Sequence, residues 1–261
     1  VAKVPKVKSK VATHSIIQAH FSSLWIILDT VMTTKRTYRT FTYREAVFRI
    51  CCEKFDAVTA EIVRQRRILE EYIARHPEFQ KSLEPLELLA GAPEVVQRMA
   101  KAAKLVGVGP MAAVAGAMAQ FAGQAALDAG AHEVIVDNGG DIYVCAVEPV
   151  IIALKTGTAD LAEKLAFSLK PDDTPISICS SSGKMGHSMS LGECDLATVV
   201  AKDAALADAA ATAAANLIKT IDDIDPALEN ISAIEGVDGV MIVKEARVGL
   251  AGKLPPLVRI K

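Results

Sequence analysis

The chain has 261 residues, of which 51% are hydrophobic and 5% aromatic, and carries a formal net charge of −2. That length allows a full buried core in one large domain or two small ones, and that apolar content excludes a disordered chain. The small charge gives no electrostatic case for nucleic acid, whose binding asks for a basic, aromatic-interleaved surface.

Residues 1–36 begin basic and contain an apolar patch, Leu24 to Leu28, that Asp29 ends. The patch is too short for a signal-peptide core or for the roughly 20 apolar residues of a membrane span. It reads as a basic arm that docks on the domain or on a second subunit, with a membrane-surface anchor as the lesser alternative. "AVFRICC" is rich in β-formers and reads as a strand. Val58, Ile62, Ile68, Leu69, Tyr72 and Ile73 then recur at helical spacing until Pro77. A second helix is opened by Pro93 and closed at Gly107. A third carries Pro110 in its first turn and stops at Gly130. Ala112, Gly116 and Gln120 leave one of its faces nearly free of bulk, so another element can approach closely.

"EVIVDNGGDIYVCAVEP" predicts two strands around a glycine turn, and "VIIALKTG" a strand before a variable polar stretch. "ISICSSSGKMGHSMSLG" reads as strand, loop and strand, and "DLATVVA" as a strand. "KDAALADAAATAAANLIKTI" is a helix with Asp203 as N-cap. "GVDGVMIVKEARVGLAG" and "PLVRIK" close the chain as strands. Paired strands mixed with helices predict an α+β fold with mixed or antiparallel sheets. No linker divides it, so residues 37–261 form one domain behind the arm. Five cysteines without a CxxC pair indicate neither a disulfide framework nor a zinc site, and a reducing cytoplasm is expected.

Asp208 and Thr212 stand four residues apart in the alanine-rich helix, so they share a face. A carboxylate and a hydroxyl so placed suit a hard cation such as Mg²⁺. The alternative is a Thr212 hydroxyl bonded back to the carbonyl of residue 208, with Asp208 solvated or paired to a lysine. In "GVGPMAA", Gly107 and Gly109 precede a helix N-terminus, where bare N–H groups favour an anion. A tight turn leading into a helix explains them equally well. "VDNGGDIYV" is a hairpin signal, and its turn also sets Asp141 behind two glycines, close to where a ligand could meet bare backbone. Ser181 to Lys184 spell S-x-x-K, but that acyl-transfer motif needs a helix, and an acyl hydrolase on Ser182 and His187 is correspondingly disfavoured. His187, in a glycine- and serine-rich loop, is either an acid–base group or a buried structural histidine.

The order "GVGPMAAVAGAMAQ", "VDNGGDI", "SSSGKMGHS" and "LADAAATA" resembles the ApbE superfamily of Mg²⁺-dependent FAD:protein FMN transferases. More closely, it resembles a short cytoplasmic branch of that superfamily to which no reaction is assigned. The resemblance covers roughly Glu70 to the C-terminus, extends loosely to Thr37–Arg39, and leaves the arm unmatched. It implies that Asp208 and Thr212 hold Mg²⁺ against a pyrophosphate. Asn138, Gly139, Gly140 and Asp141 would line a pocket for FAD or FMN. Ser181, Ser182, Gly183 and His187 would lie beside the phosphates, with Gly107 and Gly109 contributing backbone N–H groups. His187 and Asp141 are the candidate catalytic groups.

Two features of the transferases are missing. "GVGPMAAVAG" has no lysine, and "GHSMSLG" lacks the aspartate and proline that follow their histidine. Two readings therefore stand: Mg²⁺-dependent binding of a flavin nucleotide or other phosphorylated ligand, with phosphoryl or nucleotidyl transfer, or a non-catalytic subunit acting through a protein partner. The branch has a link to sulfur incorporation into homocysteine, which would fit the second. A homodimer is expected from the small-residue helix faces and the fold.

Overall fold

The computed structural model describes residues 24–26, 36–154, 165–183 and 192–259. In chain order its strands are β1 (Leu24–Ile26), β2 (Arg39–Tyr43), β3 (Ala46–Cys52), β4 (Val134–Asn138), β5 (Asp141–Cys145) and β6 (Val150–Leu154). They continue with β7 (Leu165–Leu169), β8 (Ile176–Ser181), β9 (Leu196–Ala201), β10 (Val237–Lys244), β11 (Arg247–Gly252) and β12 (Leu257–Arg259). The helices are α1 (Phe55–Arg75), α2 (Glu78–Lys81), α3 (Glu94–Val106), α4 (Val114–Asp128), α5 (Ala204–Leu217) and α6 (Ile224–Ser232).

Eight strands form one sheet in the order β11-β10-β9-β8-β5-β4-β3-β2, and four form a second in the order β1-β6-β7-β12. Neighbours pair antiparallel throughout. The α+β expectation is met, with the sheets antiparallel.

The period of two along a strand sorts side chains between two cores. In β10, Val240 and Ile242 join the core beneath the helices, whereas Met241 and Val243 face the four-stranded sheet. In β9, Ala197, Val199 and Ala201 take the helix side, and Leu196 and Val200 the other. The large sheet is thus buried on both faces, which is why β8 and β9 contain no exposed residue.

Several features depart from the sequence-based expectations, among them β1, β2 and α2, which no sequence signal marks. β7 (Leu165–Leu169) lies in the stretch read as variable and polar, where it pairs with both β6 and β12. α6 was not anticipated, although Ile224, Ala227, Leu228 and Ile231 bury one face at helical spacing. The helix expected from Pro110 is split: Pro110–Ala113 form a 3₁₀ turn, and α4 starts at Val114. Residues 184–191, which include Lys184 and His187, lie outside the described residues.

Candidate active site

The alanines of α5 let neighbouring elements approach its axis, so the helix is buried from Ala204 to Ala215. Asp208 and Thr212 are the polar residues of that buried run, and both are less than a tenth exposed. Asp203 caps the helix as expected, accepting from the N–H groups of Ala205 and Leu206 at 2.9 and 3.2 Å. Asp208 caps a different helix. Its Oδ2 accepts from the Gly116 N–H at 2.8 Å, and the Ala115 N–H also bonds to this carboxylate. These N–H groups belong to the first turn of α4, which has no intrahelical acceptors for them. The split at Ala113 therefore falls where a carboxylate from α5 caps α4.

Close approach makes that cap possible. A Cβ on Gly116 would stand 2.1 Å from the Ala204 carbonyl oxygen and 2.9 Å from the Asp208 Cβ. Only glycine lets the two helix backbones meet here. Asn138, at the end of β4, ties the hairpin turn to the same place: its Nδ2 donates to the Ala115 carbonyl at 3.1 Å.

Asn138 and Asp141 are opposed in register across that turn, and Gly139 and Gly140 adopt positive φ of 70° and 108°. Asp141 reaches the helix-facing side of the sheet, beside Cys179, whose Sγ also lies 3.6 Å from the Ala204 carbonyl. Burial, and then the charge of Asp208, hold the Asp141 carboxyl well above the usual carboxylate range. Burial likewise pushes Asp208 up to about 7, against the lowering effect of the Gly116 and Ala115 N–H groups. Two buried carboxyl groups thus repel each other, and neither forms an ion pair among the described residues. Oδ1 of Asp141 has no hydrogen-bonding partner among the described residues. Neither does Oγ of Ser181, buried at the end of the adjacent strand β8.

Such a site fits a hard cation. A positive ion would relieve the cost of ionising two neighbouring buried carboxyl groups, and the Asp141 oxygen without a hydrogen-bonding partner would supply a ligand atom. Among the described residues no group of three or more His, Cys, Asp or Glu side chains could hold a metal ion. A cation here would complete its shell with hydroxyl, carbonyl, water or ligand oxygens, as Mg²⁺ commonly does.

Other candidates are placed differently. The Gly107 and Val108 N–H groups both donate to the Ala103 carbonyl, at 2.9 and 3.1 Å, closing α3 in a left-handed cap. Gly109 packs on the 82–83 backbone, where a Cβ would lie 1.9 Å from the Ser82 oxygen. Ser181 ends a strand, so the helix required by S-x-x-K is absent there. Ser182 is buried beside it. Gly183 donates its N–H to the Cys194 carbonyl at 2.9 Å, and a Cβ on it would lie 1.9 Å from the Gly192 oxygen. Gly183 thus packs on Gly192, which in turn meets Ala215 in the C-terminal half of α5.

Asp137, which sequence reasoning missed, lies on the opposite face of β4. Its Oδ1 accepts from the Gly140 N–H at 2.9 Å, fixing the turn, and burial raises its pKa to about 6 against the pull of Arg49, 4.0 Å away. The signal was present: an aspartate three residues before a glycine commonly closes its own turn.

Comparison with known proteins agrees with this architecture. The family model described as "AbpE bacteria" matches residues 46–240. A UPF0280 protein of Archaeoglobus fulgidus is 41% identical over 229 residues, covering 83% of this chain and 92% of the relative. One from Methanocella arvoryzae is 42% identical over 198 residues, 76% of this chain and 80% of the relative. Among solved structures, the flavin transferase ApbE from Vibrio cholerae superposes with a TM-score of 0.52 at 14% identity, covering 87% of this chain and 96% of that one. A mutant of the same protein gives 0.53 at 12% identity, over 84% and 97%. The chain belongs to the ApbE-like superfamily and, within it, to the UPF0280 proteins.

Proposed function

We propose that this protein binds a flavin nucleotide, or another ligand bearing phosphates, through a divalent cation held by Asp208 and Thr212 with Asp141 opposite. The observation that carries this reading is the buried Asp141–Asp208 pair, whose mutual repulsion and unpartnered Asp141 oxygen call for a positive ion. Mg²⁺ is the cation that the oxygen donors suit. When bound it would neutralise phosphate charge and polarise a P–O bond.

The chain's own groups do the remaining work. The α4 N-terminus holds Asp208 in one orientation, and the Asn138–Asp141 turn presents Asp141 together with the glycine backbone of the proposed nucleotide pocket. Ser181, Ser182 and Gly183 form its phosphate side. His187, outside the described residues, is the proposed acid–base group, since its unperturbed pKa lies near neutrality. The flavin transferase named among the structural neighbours supports a flavin as the first ligand to test. Calorimetric titration with FAD, FMN and ADP, each with and without Mg²⁺, is expected to give heats that require the cation and vanish in Asp208→Ala. Equal heats in wild type and variant overturn the reading.

A second reading is favoured by one observation. The loop before α4 has no lysine, and its first two N–H groups close α3 instead of facing a ligand. Binding without transfer, through a protein partner, follows from that. Pull-down with and without residues 1–36 tests it, with loss of a partner on truncation as the supporting result. In either reading residues 37–261 form the domain and 1–36 the arm. The protein is proposed to be cytoplasmic and homodimeric, and light scattering in solution checks the latter. Among the described residues no single helix is long and apolar enough to cross a membrane.

A further inference from the structure

One peptide group links the two halves of the site. The Ala115 carbonyl accepts from Asn138 Nδ2 at 3.1 Å, and the N–H at the other end of that same amide, on Gly116, donates to Asp208 Oδ2 at 2.8 Å. Hydrogen bonds in series through one amide polarise it and strengthen each other. Asn138 and Asp141 are directly opposed across the hairpin turn, and the charge of Asp208 acts on Asp141. The arrangement is a chain from the turn through the α4 amide to the α5 carboxylate.

We infer that Asn138 is a positioning residue for the cation site and acts on Asp208 through the Ala115–Gly116 amide. The inference deepens the proposed function and rests on its cation site. It changes the expectation for Asn138, whose side-chain N–H group is directed to the protein backbone rather than into a nucleotide pocket. The carboxamide does two things at once. It fixes where the first turn of α4 lies relative to the hairpin, and it sharpens the donor that orients Asp208. Asp208 Oδ2 is thereby held to the amide, which fixes the orientation of the carboxylate. Gly116 belongs to the same device, because any Cβ there would push the amide off Asp208.

The test uses the full chain, first without nucleotide and then with FAD at saturating Mn²⁺. Mn²⁺ is titrated in, and free ion is read by electron paramagnetic resonance, for wild type, Asp208→Ala and Asn138→Ala. Asn138 has no left-handed backbone to preserve, so alanine suits the strand end. Partners that orient a metal ligand typically contribute about 10–100-fold to metal affinity, and Asn138→Ala is expected to weaken Mn²⁺ about tenfold. Its melting temperature in EDTA serves as the check on folding, and if the alanine variant does not fold, Asn138→Ser decides by the same titration.

Abolished binding in Asp208→Ala together with wild-type Mn²⁺ affinity in the Asn138 variant overturns this inference alone. So does a variant that loses only nucleotide affinity at saturating cation, since that is the behaviour of a residue lining the pocket. A wild-type protein that takes up no Mn²⁺, or an Asp208→Ala variant that binds it unchanged, removes the cation site and this inference with it.

Discussion

The two glycine turns of this protein, at 107–109 and at 138–141, look alike in sequence and differ in what their backbones do. At the first, the Gly107 N–H closes α3 and Gly109 lies against the Ser82 carbonyl, so the turn is part of the packing. At the second, Gly140 is fixed by Asp137, Gly139 faces open space, and the flanking Asn138 and Asp141 reach toward α4 and α5. Glycine in a loop before a helix is therefore weak evidence for a phosphate cradle. What marks the second turn is Asn138, tied through an α4 amide to the buried Asp208 carboxylate, with Asp141 opposite it in register.

Substitutions at tightly packed glycines probe this contrast with the largest effects. Gly109→Ala and Gly116→Ala both force a Cβ onto a carbonyl oxygen, at 1.9 and 2.1 Å, and backbone cannot yield cheaply. Each is expected to destabilise by about 1–3 kcal/mol or more in denaturant unfolding, the usual cost of overpacking. The difference lies in the folded fraction, where Gly116→Ala is expected to lose cation binding and Gly109→Ala to keep it. Equal retention by both would erase the distinction between the turns.

Asp208→Asn comes next. It keeps an oxygen for the Gly116 N–H but removes a buried carboxyl that ionises above about pH 7. In EDTA at pH 8 its melting temperature is expected to exceed that of the wild type, with Mg²⁺ stabilisation gone. Removing a repulsive buried charge is one of the substitutions that stabilises while abolishing function.

The pH dependence of stability follows in size. Burial raises Asp208 to about 7 and Asp137 to about 6 from an ordinary 3.8. A carboxyl whose folded pKa exceeds its unfolded value contributes fully below the unfolded value and loses that contribution as pH rises through the folded one. Without divalent cation, stability is thus expected to decline from about pH 4 to about pH 7 on account of these groups. Melting scans in EDTA and in Mg²⁺ check this, with a shallower decline in Mg²⁺. The smallest effect is expected at Gly139→Ala. Nothing lies within 4 Å of its Cβ position, so the cost is the left-handed φ of 70° alone, about 1–2 kcal/mol by chemical denaturation.

Much of this was legible in the sequence because the signals were local. Pro93 and Gly107 bracket α3, Asp203 caps α5, and Asn-Gly-Gly sets the hairpin, each through backbone chemistry of its own segment. β7 was hidden because its five residues gain their meaning from β6 and β12, far away in the chain. The α4 break was hidden for a similar reason, since its cap comes from residue 208. The i,i+4 spacing placed Asp208 and Thr212 on one face, but it could not tell that the carboxylate would also cap another helix. Ala112, Gly116 and Gln120 did announce a close neighbour, and Gly116 meets it at Ala204.

Anomalous diffraction from crystals grown with Mn²⁺ tests the central claim most directly. A peak between the Asp141 and Asp208 carboxyl groups, within ligand distance of the Thr212 hydroxyl, is the predicted result. Crystals that take up Mn²⁺ only elsewhere, with Asp141 and Asp208 still facing each other unoccupied, would contradict it.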